Sequence, residues 1–169
     1  FQITAVPFLY RDYDHMHRVL RSPVFKAYLE AAEKATGIKV IAINGDTAPR
    51  QLSTRDRPVR TAADFKGLKI RIAESAMVRA AMGRLGANPQ VIPFGDLYMA
   101  LKQGVVDAQE NGVIVIKSAS LFEVQKYLTL TNYIRDEMVL FTSTERWQAL
   151  GSAQQKALIE AVEEAGQYE

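Results

Sequence analysis

The sequence contains no cysteine, which removes disulfide staples, a thiol nucleophile and thiolate metal ligands together and leaves the redox compartment open. Histidine is scarce: His15 and His17 are the only two, and no G-x-S-x-G element accompanies the many serines and threonines, so nucleophilic catalysis finds little support. The phosphate-cradling signatures G-x-x-x-x-G-K-[ST] and G-x-G-x-x-G are missing as well, and no cofactor motif takes their place. Long apolar runs are absent. No window approaches the roughly 18 consecutive apolar residues of a membrane span, and the mean hydropathy is −0.10, which reads as a soluble chain that does not itself span a membrane. The opening residues FQITAVPFLYRDYDH show neither a basic n-region nor a long apolar h-region, so no secretory leader is read within this chain.

What is present is enough apolar material for a core. With 48% hydrophobic residues over 169 positions, the chain fits one domain or two small lobes. The net charge is only +2, but residues 50–71 carry seven basic side chains against two acidic ones, a local +5. A short basic segment on an otherwise acidic chain suits a small anionic ligand better than nucleic acid, which needs a broad basic face; the plainer reading is a solvated loop.

Residues 12–36 read as helical with a break near Ser22-Pro23, and Gly37 supplies the stop. IKVIAI (38–43) reads as a short buried strand. The segment from Asn44 to Gly67 is rich in turn formers and charge and reads as an extended connection or β-ribbon leading to the strand LKIRIA. From Ser75 a helix is expected with Met77, Ala80, Ala81 and Leu85 as its apolar set, then a strand at PQVIPF, a short helix at GDLYMALKQG with Leu97, Ala100 and Leu101 inward, a strand at VVDAQE and a helix ending NGVIVIKSASLFEV. The β-prone run KYLTLTNYIRDEMVLFTST is either a strand pair or one strand passing between lobes. Ser152 and Gln155 form an S-x-x-Q box opening a last helix, whose Leu158, Ile159, Val162 and Ala165 are expected to face a core. Strand and helix alternating through 68–130 predict an α/β fold with a largely parallel sheet.

Ligands of open α/β sheets sit at the carboxyl ends of strands, and Arg71, Phe94 and Asn111 each fall near such an end. A mid-strand arginine is charged at any ordinary pH, and its planar fork matches a carboxylate. Arg71 is therefore either a ligand anchor or half of an internal ion pair. Arg50 sits in a polar stretch where an exposed arginine needs no explanation. Asn111 offers both a donor and an acceptor to a ligand, or is the N-cap of the helix after it. His15 and His17, with Asp12 and Asp14, invite a metal reading, but i,i+2 spacing shares a face only on a strand, and the aspartates fit a helix start better. Phe8, Tyr10 and Tyr13 could stack a base or sugar, but fit a strand edge packing on the first helix better.

These segments taken in order, VPFLYRDYDHMHRVL, APRQLSTRDRPVRTAADFKGLKIRI, LGANPQVIPFGDLYMALKQGVVDAQEN, FEVQKYLTLTNY and ALGSAQQKALIEAVEEAGQY, resemble the solute-binding proteins of TRAP transporters, the DctP family, over nearly the whole chain. The resemblance implies a two-lobed periplasmic binder that closes on a small organic acid, such as a sugar acid or dicarboxylate, and delivers it to an ion-gradient-driven TRAP permease, with no cofactor, no metal and no catalysis. It implies that Arg71 pairs with the ligand carboxylate, that Arg50 is a second contact, that Asn111 hydrogen-bonds the same region and that Phe94 lines the cleft. It further implies a partial fold: residues 1–47 as part of lobe I, 48–136 as a nearly complete, ligand-binding lobe II, and 137–169 as a crossing strand and helix of lobe I, with the family's N-terminal and C-terminal portions outside this chain. One position departs from the pattern, Gly112 standing where the family usually has proline. Two other readings stay open: a sensing or interaction domain on the same fold, and an enzyme using Glu74, Glu110 or Asp107 as acid and base.

Overall fold

A computed structural model of the protein describes residues 2–46 and 48–166; the expected boundary at Thr47 and the last three residues lie outside them. The elements run α1 (Tyr13–Leu20), α2 (Pro23–Thr36), β1 (Ile38–Asp46), β2 (Arg50–Thr54), β3 (Lys69–Ile72), α3 (Ala76–Arg84), β4 (Asn88–Val91), α4 (Leu97–Lys102), β5 (Ala108–Gly112), α5 (Val113–Ser118), β6 (Tyr127–Thr129), β7 (Glu137–Ser143), α6 (Thr144–Ala149) and α7 (Ser152–Ala165). They fall into two compact units, Phe1–Leu9 with Ala48–Asp136, and Tyr10–Thr47 with Glu137–Glu169. The piece 1–47 is thus divided: the Phe8 amide donates to the Tyr133 carbonyl at 2.6 Å, which ties the first residues to the unit that contains β2–β6.

That unit is built on a five-stranded sheet in the order β4-β3-β5-β2-β6. It is mixed rather than largely parallel: β3 runs parallel to β4 and β5, whereas β2 is antiparallel to β5 and β6. The departure comes from residues 50–54. Their polar composition reads as a connection, yet RQLST forms a strand between β5 and β6, with its last four residues buried. It tolerates burial because its polar side chains find partners across the sheet, Ser53 with Gln109 and Gln51 with Asn132.

Alternation along the strands divides the sheet's two faces. Ile70, Ile72, Leu52 and Ala108 enter a core with Val59, Phe65, Val78, Met82, Tyr133 and Ile134; each large aliphatic side chain so buried contributes about 1.5–3 kcal/mol. Arg71 stands in register with Gln109, and Asn111 with Gln51, so these four polar residues share the other face. Helix α3 begins where expected, the Ser75 hydroxyl accepting from the Val78 amide, but it buries Val78 and Met82 rather than the stripe from Met77 to Leu85, both of which are exposed. Leu97, Ala100 and Leu101 of α4 are buried as expected, in a second core with Val106, Ile116 and Leu121.

In the other unit Ser22 caps α2 by accepting from the Phe25 amide with Pro23 at its first position, and Gly37 ends the helix at φ 68°. Asp12 caps α1, accepting from the His15 amide at 2.6 Å. The core holds Tyr10, Met16, Leu20 and Phe25. Burial and the nearby charge of Glu137 push the Tyr10 phenol up to about 12. Strand β1 is not the buried strand expected. Among the described residues it pairs with β7 alone, in a two-stranded antiparallel ribbon whose described residues are half-buried or exposed. The long β-prone run is accordingly two strands in two different sheets. The last helix starts one residue before the expected box: the Gly151 amide donates to Gln154 Oε1 at 2.9 Å, and α7 has no buried residue.

Two predictions follow from these features. Asp64 accepts from the amides of Arg60 and Thr61 and from the Thr61 hydroxyl at 2.8–3.0 Å, and those bonds, the backbone ones first, hold its carboxyl below the usual range. A lowered folded-state value stabilises above the unfolded value, about pH 4, and that contribution is lost as pH falls through the folded value. Denaturation of wild type and Asp64→Asn should therefore differ at neutral pH and converge in acid. Separately, Leu140 and Phe141 on β7 are 40% and 60% exposed, and apolar surface on an unpaired ribbon drives association. Phe141→Lys should lower concentration-dependent self-association measured by light scattering.

Candidate functional site

The carboxyl ends of β3 and β5 bring two arginines together with opposite electrostatic situations. Arg50, at the start of β2, is saturated. Its Nε and Nη2 both donate to the Glu110 carboxylate, Nη2 also reaches the Glu110 carbonyl at 3.0 Å and Asn111 Oδ1 at 3.3 Å, and Nη1 donates to Asp136 at 2.7 Å. Glu110, 1% exposed, additionally accepts from the Tyr133 hydroxyl. Burial acts to draw the Arg50 guanidinium down, but the hydrogen bonds and charge of Glu110, with Asp136, hold it raised. Burial and the charge of Glu110 together push the Tyr133 phenol well above its usual value. Against the expectation of an exposed arginine, Arg50 is part-buried, 18% exposed, and paired with the buried Glu110, and one Nη1 proton is what it retains for any further acceptor.

Arg71 is the reverse. It is 3% exposed and among the described residues makes one hydrogen bond, from Nε to the Ile92 carbonyl at 2.8 Å, and no ion pair. That bond fixes the plane of the fork at the end of β4, with the guanidinium carbon 5.9 Å from the centroid of the Phe94 ring. Among the described residues neither terminal nitrogen has a protein acceptor. Burial draws the Arg71 guanidinium down; the charge of Glu110 opposes this and that of Arg50 adds to it. Among the described residues no carboxylate forms the internal ion pair that was the alternative for Arg71.

Phe94 opens a 3-10 turn before α4 and is 50% exposed, a large aromatic face left open beside a cation. Asn111 lies inside β5, so the helix cap is Gly112 instead, whose backbone is extended at φ −63° and ψ 152° and makes no side-chain cap bond. A Cβ on Gly112 would stand 2.7 Å from the Ala48 carbonyl, so this position is held to glycine by the chain passing over it. Asn111 Nδ2 donates to Gln109 Oε1 at 2.7 Å. The sheet thus brings Arg71, Phe94, Asn111 and Arg50 to one end, and adds Glu110, Tyr133 and Asp136, of which sequence reasoning had weighed Glu110 alone and only as an acid or base. The glutamate between two face-sharing polar residues in QEN was the available signal, since strand alternation must send it to the opposite face.

Of the candidate acids and bases, Glu110 is committed as described and Asp107 to Arg55 at 2.9 Å. A hollow of about 390 Å³ on the apolar side, between Phe65, Met82, Leu85 and Tyr133, offers an anion no buried cation. His15 and His17 stand beside the rings of Tyr10 and Tyr13, and among the described residues no group of three or more acidic or histidine side chains could hold a metal ion. No helix among them is long and apolar enough to cross a membrane.

The sequence profile described as bacterial extracellular solute-binding protein, family 7 (DctP) matches residues 1–169. The 2,3-diketo-L-gulonate-binding periplasmic protein YiaO of Escherichia coli K12 is 38% identical over 164 residues, covering 97% of this chain and 49% of that protein. Among solved structures, a TRAP periplasmic solute-binding protein of Polaromonas sp. JS666 bound to D-erythronate superposes with a TM-score of 0.89 at 33% identity, over 98% of this chain and 54% of the other. One from Sulfurospirillum deleyianum with bound succinate gives 0.89 at 32% identity, over 99% and 53%. The chain spans about half the length of the relatives it matches, and the mixed α/β architecture is that of their two-lobed fold.

Glu110→Ala leaves the Tyr133 hydroxyl and the Nε and Nη2 donors of Arg50 without their carboxylate, while Asp136 still pairs Nη1, so it should cost about 3 kcal/mol of stability. Lys39→Ala, at the part-exposed bridge to Glu33, should cost less than about 1 kcal/mol. Urea denaturation of both variants checks the contrast.

Proposed function

The chain belongs to the bacterial extracellular solute-binding proteins of family 7, and from that membership we propose that it captures a small organic acid by a salt bridge from Arg71 to the ligand carboxylate. The observation that carries this is a buried guanidinium whose fork is fixed by the Ile92 carbonyl and whose terminal nitrogens have no protein acceptor among the described residues. A cation held dry without an anion is unfavourable, and a carboxylate meeting both terminal nitrogens relieves that cost with two parallel charge-assisted bonds. Phe94 covers the ligand from one side. Asn111 binds its oxygens, and Arg50 contributes its remaining Nη1 proton and the local potential. The relatives named above bind a sugar-derived keto acid, a sugar acid and a dicarboxylate, and the proposed ligand is of that class. The proposed setting is the periplasm, with delivery to an ion-gradient-driven membrane permease, where capture rather than turnover is the task.

Calorimetric titration with succinate, D-erythronate and 2,3-diketo-L-gulonate tests the reading. Arg71→Lys keeps the charge and loses the fork, so affinity for whichever acid binds should weaken by about 2–3 kcal/mol, while melting without ligand should hardly change. Arg60→Lys, an exposed residue of the same basic segment, should alter both by less than about 0.5 kcal/mol. Wild-type affinity in Arg71→Lys would remove Arg71 from the site. Deleting the coding sequence should abolish cellular uptake of the bound acid; unchanged uptake would refute the transport role.

A further inference from the structure

Behind Asn111 runs a line of buried side chains that the binding reading does not use. Asn111 Nδ2 donates to Gln109 Oε1 at 2.7 Å, Gln109 Nε2 to Ser53 Oγ at 2.7 Å, Ser53 Oγ to Gln125 Oε1 at 3.3 Å, and Gln125 Nε2 to the Val124 carbonyl at 2.9 Å. Gln109, Ser53, Gln125 and Asn111 are 0%, 2%, 7% and 7% exposed, so water cannot substitute freely for any link.

The direction of this line is set from both ends. The Val124 carbonyl can only accept, which turns the Gln125 amide nitrogen toward it and its oxygen toward Ser53. Ser53 must then donate to Gln125 and accept from Gln109. Gln109 in turn presents its oxygen to Asn111. At the other end the Arg50 guanidinium can only donate, and its Nη2 stands 3.3 Å from Asn111 Oδ1, which demands the same orientation independently. Reversing any single amide would set two donors or two acceptors against each other at buried sites, a cost carried by every such mismatch.

We propose that Gln109, Ser53 and Gln125 are positioning residues that hold the Asn111 amide in one orientation, so that Asn111 meets a ligand as a hydrogen-bond donor only. Its oxygen is taken by Arg50 and one of its two Nδ2 protons by Gln109; the second proton is what remains. With Arg71 also a pure donor, the site then selects for oxygen acceptors, the carboxylate, keto and hydroxyl oxygens of organic acids, and against an ammonium group in the same place. The selectivity part of this inference rests on the reading of Asn111 as a ligand contact; the orientation part does not.

Two measurements separate these parts. In nitrogen-15 spectra of the protein without ligand, the Asn111 side-chain amide should be rigid and slow to exchange with solvent. Ser53→Ala, which touches neither Asn111 nor the Arg71 fork, should mobilise it and speed its exchange about tenfold, and Ser53→Thr, which keeps the hydroxyl, should restore it. A mobile Asn111 amide in the wild type, or one indifferent to Ser53→Ala, overturns the orientation claim whether or not any acid binds. In titrations with succinate, D-erythronate and 2,3-diketo-L-gulonate, Ser53→Ala should raise the dissociation constant about 3- to 10-fold, but less than about 1.5-fold in an Asn111→Ala background, because its effect passes through Asn111. Equal effects in both backgrounds would make Ser53 merely structural and overturn the positioning role. Aspartate should bind more weakly than succinate, and equal affinity would overturn the selectivity. If none of the three acids binds the wild type, the binding reading and the selectivity built on it fail together, and the spectra still decide the orientation.

Discussion

A guanidinium removed from water requires an anion, and the five-stranded sheet meets that requirement for one arginine while withholding it from another. Arg50 is held by Glu110 and Asp136; Arg71, 3% exposed, has one carbonyl. The first arrangement ties β2 to β5 and to the segment leading out of the unit. The second leaves an open cationic fork on a rigid strand, beside an exposed aromatic ring. Because the two arginines interact, pairing Arg50 internally also limits the repulsion that an unpaired Arg71 would otherwise suffer.

Strand β5 is where these requirements meet, and its period of two assigns the work. Glu110 goes to the face with Leu52 and Tyr133, where its charge is neutralised in the core. Gln109 and Asn111 go to the face with Arg71, Gln51 and Ser53, where amides and a hydroxyl pair with one another. A buried polar face of this kind is stable only when every donor has a defined acceptor, and that condition is what gives the line from Val124 to Asn111 its single direction. Rigidity at the end of β5 is then a by-product of satisfying the sheet.

Several features were legible along the chain because they depend on neighbours within a few residues. Ser22 with Pro23, Gly37 and Ser75 act at their helix ends through bonds spanning three or four positions. The alternation of KIRI placed Arg71 on a strand, and the inward set of α4 followed from its spacing. Burial was less legible. IKVIAI is apolar, yet its ribbon has one partner strand and stays half-exposed; RQLST is polar, yet lies between two strands. The α3 stripe was misplaced by one position because small and apolar residues occupy adjacent faces of that helix, and which face packs depends on the strands beneath it.

Sequence by itself determined both ends of α2 and the start of α3, the strand that carries Arg71 and the family to which the chain belongs, since each rests on local periodicity, capping chemistry or the order of motifs. Only the tertiary structure decided which arginine keeps its charge available. Glu110 lies 60 residues from Arg50 and Asp136 lies 86 away, and no local pattern announces either pairing. The antiparallel register of β2 on β5 sets Arg50 opposite Gly112, within reach of the Glu110 carboxylate, whereas the parallel register of β3 on β5 sets Arg71 opposite Gln109, which is neutral. The counter-charge of a buried cation is chosen by strand pairing, and strand pairing is a non-local outcome of packing the whole sheet.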